Sequence, residues 1–274
     1  MKSIFKCFSI LAIVFLFSSC NAQNASEKRP VVLIKTQFGN MKVELYNETP
    51  KHRDNFLKLV KEGYYNGLLF HRVIKEFMVQ GGDPQSRNAQ PNVMLGNGGP
   101  EYTIDCEINP KFLHKKGALA AARQGDNINP DRKSSGSQFY LVQGVVFPAN
   151  DLPALEAKGN EKQAQSFMRQ LVRENNDSLN LYQTSGNQVA FATLMERLQN
   201  EVLAKVAQTP FKLTDEQKQV YTTFGGTPHL DGNYTVFGEV IEGLHVIDEI
   251  AAQACDMNNR PVVDLKMEIE VIQE

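Results

Sequence analysis

Tryptophan is absent from the 274 residues, cysteine occurs only four times, and neither sign of charge dominates, with 29 basic against 31 acidic residues. The even balance leaves no field to hold a polyanion, which argues against a nucleic-acid partner. The five histidines, His52, His71, His114, His229 and His245, are scattered and form no cluster with metal-ligand spacing. Neither a metal nor another cofactor is expected. No Gly-x-Ser-x-Gly elbow is present, and Ser134, Ser135 and Ser137 fall in a loop, which argues against a serine hydrolase. Apolar residues at 42% and charged residues at 22% exclude wholesale disorder. Glycine is scarce in one stretch: residues 150–222 hold only Gly159 and Gly186 of the 19. That unevenness divides the chain into a turn-rich part and an inserted helical part.

The longest apolar run is also short. Lys2 and Lys6 precede Ile10–Phe17, and Ser18-Ser19-Cys20 follows. This pattern reads as a signal sequence over residues 1–19, too short to span a bilayer as a mature helix. A cysteine directly after small residues resembles the lipobox of bacterial lipoproteins, although Phe17 stands where leucine is usual. Cys20 is therefore expected to carry a lipid that holds the chain at the cell envelope, facing the periplasm or the exterior. A soluble secreted product is the alternative. Without residues 1–19 the balance is 27 basic to 31 acidic. Residues 20–30 are polar and read as a flexible tether. Cys106 and Cys255 remain, 149 positions apart, and read as two free thiols.

From Val31 onward the pattern is of short strands. Val31–Lys35 and Asn40–Tyr46 suggest a hairpin, the second arm alternating Met41, Val43 and Leu45 with Lys42 and Glu44. Thr49-Pro50 offers a helix start, Phe56, Leu57 and Val60 recur at helical spacing, and Gly63 ends the helix. Strands are expected over 68–73, 77–80, 102–107, 118–122, 138–142, 234–240 and 265–272, with a helix at 246–251. Many short strands and few helices point to a closed antiparallel sheet.

Residues 150–222 differ. Asn160 is read as opening a helix with an Asn-x-x-Gln cap. Phe167, Met168, Leu171 and Val172 form one stripe, Phe191, Leu194, Met195, Leu198, Val202 and Val206 a second. Thr214 opens a third helix. Nine acidic and eight basic residues make its polar face nearly neutral. The segment reads as a helical hairpin or small bundle inserted between two strands.

Four segments carry the chemistry: Phe70-His71-Arg72-Val73-Ile74, Phe77-Met78-Val79-Gln80-Gly81-Gly82-Asp83, Ser135-Gly136-Ser137-Gln138-Phe139-Tyr140, and Leu230-Asp231-Gly232-Asn233-Tyr234-Thr235-Val236-Phe237-Gly238. In composition and order they resemble the cyclophilin family of peptidyl-prolyl isomerases, over residues 31–148 and 223–273. The resemblance implies a mainly β fold, an eight-stranded antiparallel barrel with two capping helices, here spanning 31–273 with the helical insertion at 150–222. It implies Arg72 as the guanidinium that acts on the prolyl nitrogen, with Phe77, Gln80 and Gln138 completing the catalytic set. Met78, Tyr140 and Leu230 match the wall of a proline pocket, and Ala122 and Arg123 the strand that meets the substrate chain. His229 and Tyr234 complete the substrate-binding set. The expected partners are proline-containing polypeptides of the envelope, met by a monomer.

Three positions depart from the family. His229 stands where many members have tryptophan, Tyr234 replaces a histidine, and Arg123 replaces an asparagine. The first implies weak binding of cyclosporin, and the third adds a cation beside the groove. The competing expectation is a proline-peptide-binding chaperone or interaction module in which the insertion recruits partners.

Overall fold

The computed structural model describes residues 28–274; the expected signal sequence, Cys20 and the tether up to residue 27 lie outside the described residues. Eleven strands and six α-helices follow in chain order. They are β1 (Val31–Thr36), β2 (Gly39–Leu45), α1 (Pro50–Lys61), β3 (Leu68–Leu69), β4 (Arg72–Ile74), β5 (Met78–Gly81), β6 (Thr103–Ile104), β7 (Ala118–Ala121), β8 (Ser134–Ser135) and β9 (Phe139–Val142). The insertion supplies α2 (Leu152–Glu174), α3 (Asn176–Thr184), α4 (Gln188–Gln208) and α5 (Asp215–Thr223), before β10 (Val236–Glu242), α6 (His245–Ala251) and β11 (Lys266–Gln273).

Nine strands form one antiparallel sheet in the order β3-β11-β1-β2-β10-β7-β9-β5-β4. Its two edges, β3 and β4, are separated in sequence only by Phe70 and His71. The sheet must therefore curl until its edges nearly meet, yet they do not pair with each other. This corrects the expectation of a closed eight-stranded barrel and of one strand over 68–73: the chain crosses from one edge to the other at Phe70-His71. Of the expected strand at 102–107, only Thr103–Ile104 is regular, paired with β8.

Period-two alternation puts Val32, Ile34, Met41, Val43, Val79, Leu119, Leu141 and Ile269 inside the curl, where Phe56 of α1 and Val246, Ile247 and Ile250 of α6 join them. Thr49 does not cap α1; its hydroxyl donates to the Tyr46 carbonyl instead. The cap comes from Glu107, which accepts the Lys51 and His52 backbone N–H groups and bonds His52 Nδ1 at 2.7 Å. A carboxylate there also suits the positive helix end.

The insertion has a core of its own, Leu171, Leu179, Leu194, Leu198 and Val202, with Phe167, Met168, Phe191 and Met195 packed around it. Asn160 lies inside α2, not at its start, and its amide bonds both backbone groups of Phe211. The capping box at Thr214 and Gln217 is present. Gly159 has no room for a side chain, because a Cβ would stand 2.1 Å from the Phe211 ring. Backbone bridges from Gly226 to Lys115 and Val145 fasten the base of the insertion to the barrel.

Candidate active site

Strand register sets a row of side chains on the outside of the curl. Arg72 pairs with Gln80, Gln80 with Tyr140, and Tyr140 with Ala120. Met78, two residues from Gln80, shares their face. There a second apolar cluster gathers Tyr46, Met78, Phe112, Tyr140, Leu230 and Val236, with Phe77, Ala122 and Tyr234 at its rim. Because apolar groups lie on both sides of the sheet, every residue of β7 and β9 is buried.

A concavity of about 120 Å³ opens on this cluster. Phe77, Met78, Tyr140, Leu230 and Tyr234 wall it, and Arg72, Gln80, Ala122 and Arg123 ring its mouth. The structure thus brings nine of the eleven expected residues into one pocket. Gln138 stands one bond behind, and His229 sits on the outer rim, stacked on Phe77 with ring centroids 5.4 Å apart.

Arg72 is exposed but held. Its Nη1 donates to Gln80 Oε1 at 3.1 Å, Gln80 Nε2 donates to Gln138 Oε1 at 2.9 Å, and Gln138 Nε2 donates to the carbonyls of Gly96 and Gly98. The glycine loop is fixed in turn by Asp83, fully buried, which accepts the N–H groups of Gly96 and Gly98. Only glycine fits at 98, since a Cβ would meet Asp83 Oδ1 at 2.1 Å. Next to this loop His71 is buried, and no side chain bonds either ring nitrogen. Burial pushes its pKa down to about 4, against the pull of Asp83.

Two features of the site add to the sequence expectations. The N–H groups of Ala121 and Ala122 donate within the sheet, to the carbonyls of Thr235 and Gln138. The Arg123 guanidinium, expected as a cation beside the groove, bonds the Asn233 carbonyl and Asp126 and lies over the Tyr234 ring, 4.5 Å from its centroid.

Sequence reasoning missed the support beneath the pocket. His114, fully buried, bonds Asp231 through Nδ1 at 3.0 Å and the Tyr140 hydroxyl through Nε2 at 3.0 Å. Asp231 also accepts from the Tyr221 hydroxyl of α5. A chain of polar contacts therefore runs from the insertion to the pocket wall. Asp231 stood in a quoted motif, but nothing local linked it to His114, 117 residues away. His229 keeps one edge in solvent; desolvation of the other, with the Lys162 ammonium second, lowers its pKa to about 4.

The family model described as cyclophilin type peptidyl-prolyl cis-trans isomerase/CLD matches residues 31–158 and 156–271. A putative bifunctional phosphatase/peptidyl-prolyl cis-trans isomerase of Streptococcus pyogenes is 30% identical over 246 residues, which are 88% of this chain but 38% of that protein. A putative peptidyl-prolyl cis-trans isomerase of Staphylococcus epidermidis is 28% identical over 89% of this chain and 91% of its own length. Among solved structures, a Cryptosporidium parvum cyclophilin type isomerase superposes with a TM-score of 0.52 at 20% identity, covering 90% of this chain and 99% of that one. That likeness is one of fold. The matched residues take in both halves of the curled sheet and the pocket between them, and the chain belongs to the cyclophilin-type peptidyl-prolyl cis-trans isomerase family.

Proposed function

We propose that the protein accelerates rotation about X-Pro peptide bonds by holding the proline ring in the 120 Å³ pocket and donating from Arg72 to the prolyl nitrogen. Amide resonance sets a barrier of roughly 18–20 kcal/mol. The two isomers of an X-Pro bond are nearly balanced but exchange over tens of seconds or longer. No nucleophile or base is needed. The twisted transition state returns the lone pair to a pyramidal nitrogen, and a guanidinium that bonds this lone pair is favoured there over the planar ground state. Reaching milliseconds takes about five powers of ten, or about 7 kcal/mol. One charged donor supplies part of this; a pocket that fixes the ring supplies more by orientation.

The observation that carries the reading is the relay Arg72–Gln80–Gln138 at the lip of an apolar pocket. It holds the cation before substrate arrives, so little reorganisation remains at the moment of twisting. The test is exchange NMR on a proline peptide with Arg72→Ala. The reading predicts a 10²- to 10³-fold fall in kcat/KM, equivalent to about 3–4 kcal/mol; a rate equal to wild type overturns the mechanism.

The same reading places the protein at the cell envelope, tethered by a lipid on Cys20, where its substrates are exported polypeptides. Support comes from the charged, apolar and small-residue order of residues 1–20. Mass spectrometry of the mature N-terminus tests it: an unmodified cysteine or a start elsewhere rejects the anchor.

A further inference from the structure

Beside the proline pocket lies a larger groove of about 450 Å³, one wall of which is the insertion. The two cavities share Arg123, Leu230 and Tyr234. From α2 come Lys162, Ser166 and Arg169, whose spacing of four and three residues sets them on one helix face. From the barrel come Arg123 and Arg132.

The charges here do not balance. Asp126 is the carboxylate that meets the arginines, lying 2.8 Å from Arg123, 3.6 Å from Arg132 and 3.7 Å from Arg169. The other acidic group of the lining, Asp231, is occupied by His114 and Tyr221. Lys162 adds a fourth cation, its ammonium donating to the His229 carbonyl. Burial holds its pKa below the ordinary lysine value, and the three arginines push in the same direction while Asp126 opposes them. Gln163, also in the lining, donates through Nε2 to the Thr209 carbonyl, but its buried Oε1 has no partner.

We propose that this groove is a second substrate subsite, built by the insertion, that takes an acidic side chain of the polypeptide close to its proline. The proposal rests on the proposed reading of the neighbouring pocket as the prolyl site. An extended chain advances about 3.3–3.6 Å per residue. A side chain one to three residues from a proline seated in the pocket therefore reaches a groove that shares its wall. An incoming carboxylate meets four cations against two carboxylates, Asp126 among the arginines and Asp231 bonded to His114 and Tyr221. The insertion thus sets sequence preference, a property the barrel residues alone do not supply.

The test uses the mature chain and exchange NMR on peptides holding one proline and a single Glu, Gln or Lys at each of three positions on either side. The readout is the ratio of kcat/KM for the Glu and Gln peptides within each protein variant, so a general loss of activity cancels. We expect a ratio of about 3 to 10 at one or two adjacent positions on one side only. It falls toward 1 as salt shortens the screening length to about 3 Å at 1 M. In Arg169→Glu, an exposed substitution, the preference moves from the Glu to the Lys peptide. A ratio of 1 at every position, an equal preference at all six, or a preference untouched by Arg169→Glu overturns the proposal. If no peptide is isomerised, the prolyl reading falls instead. Fluorescence polarisation with the same peptides then judges the groove by the same Glu-to-Gln ratio.

Discussion

The barrel and the insertion use apolar surface differently. The curled sheet carries two apolar clusters, one inside and one outside, and the outer one is left open as a pocket. The helices of the insertion turn their stripes on one another and keep a single internal core. What the insertion shows to the neighbouring groove is mostly polar, Lys162, Gln163, Ser166 and Arg169 with the Phe211 ring among them, and its Tyr221 hydroxyl meets Asp231. The sheet thus supplies the apolar pocket, and the helices add Lys162 and Arg169 to the arginines of the neighbouring groove. The two stripes read in the sequence pack against each other within the insertion.

The largest effect that could break this contrast is the Arg72→Ala loss described above. Were activity to survive it and vanish instead on substituting Arg169, the chemistry would lie with the wrong region. Second, Leu198 is fully buried in the core of the insertion. Leu198→Ala is expected to cost about 2–5 kcal/mol there. Hydrogen exchange should quicken over α2 to α4 and leave β5 and β9 protected; equal loss in both regions would mean one cooperative unit.

Third, pH should act on the barrel. The folded pKa of His71, about 4, lies below its ordinary 6.5. Between these values the unfolded chain binds a proton that the folded one refuses, so stability is complete above about pH 6.5 and falls as pH drops toward 4. The full shift corresponds to about 3 kcal/mol at 1.36 per unit. Urea unfolding at pH 7 and pH 5 measures the decline, and His71→Gln should flatten it. An unchanged slope would show that the fall comes from other groups. The smallest effect concerns Arg29, which pairs with Glu44 and Glu48 at the surface. Arg29→Ala should cost less than about 1 kcal/mol, and still less at high salt; a larger thermal shift would show that this corner supports the barrel.

What the sequence made legible was local. Arg72 and Met78 to Gln80 lie on the adjacent strands β4 and β5, so the motifs brought most of the pocket with them. The supports were not local. Glu107 caps a helix 55 residues upstream, and His114 finds Tyr140 and Asp231 only after the sheet curls. Alternation could not show that Leu68 to Val73 would split between two edges, since Leu68, Leu69, Phe70 and His71 are all buried and carry no period-two pattern. Asn160 looked like a cap because asparagine favours helix starts. Its amide instead satisfies the backbone of Phe211, which no pattern within one helix reveals.

The start and the end of the described chain lie together. Leu45 N–H donates to the Pro30 carbonyl, Val31 pairs with Gln273, and the Gln273 amide donates to the Arg29 carbonyl. From β1 the sheet passes through β2, β10 and β7 before reaching β9, so the chain enters on the wall across the barrel from Tyr140. Ten peptide steps lead from Cys20 to Pro30, a reach of at most roughly 36 Å. A tether at that end, such as the lipid proposed at Cys20 would provide, joins the barrel away from the pocket and leaves its mouth unobstructed.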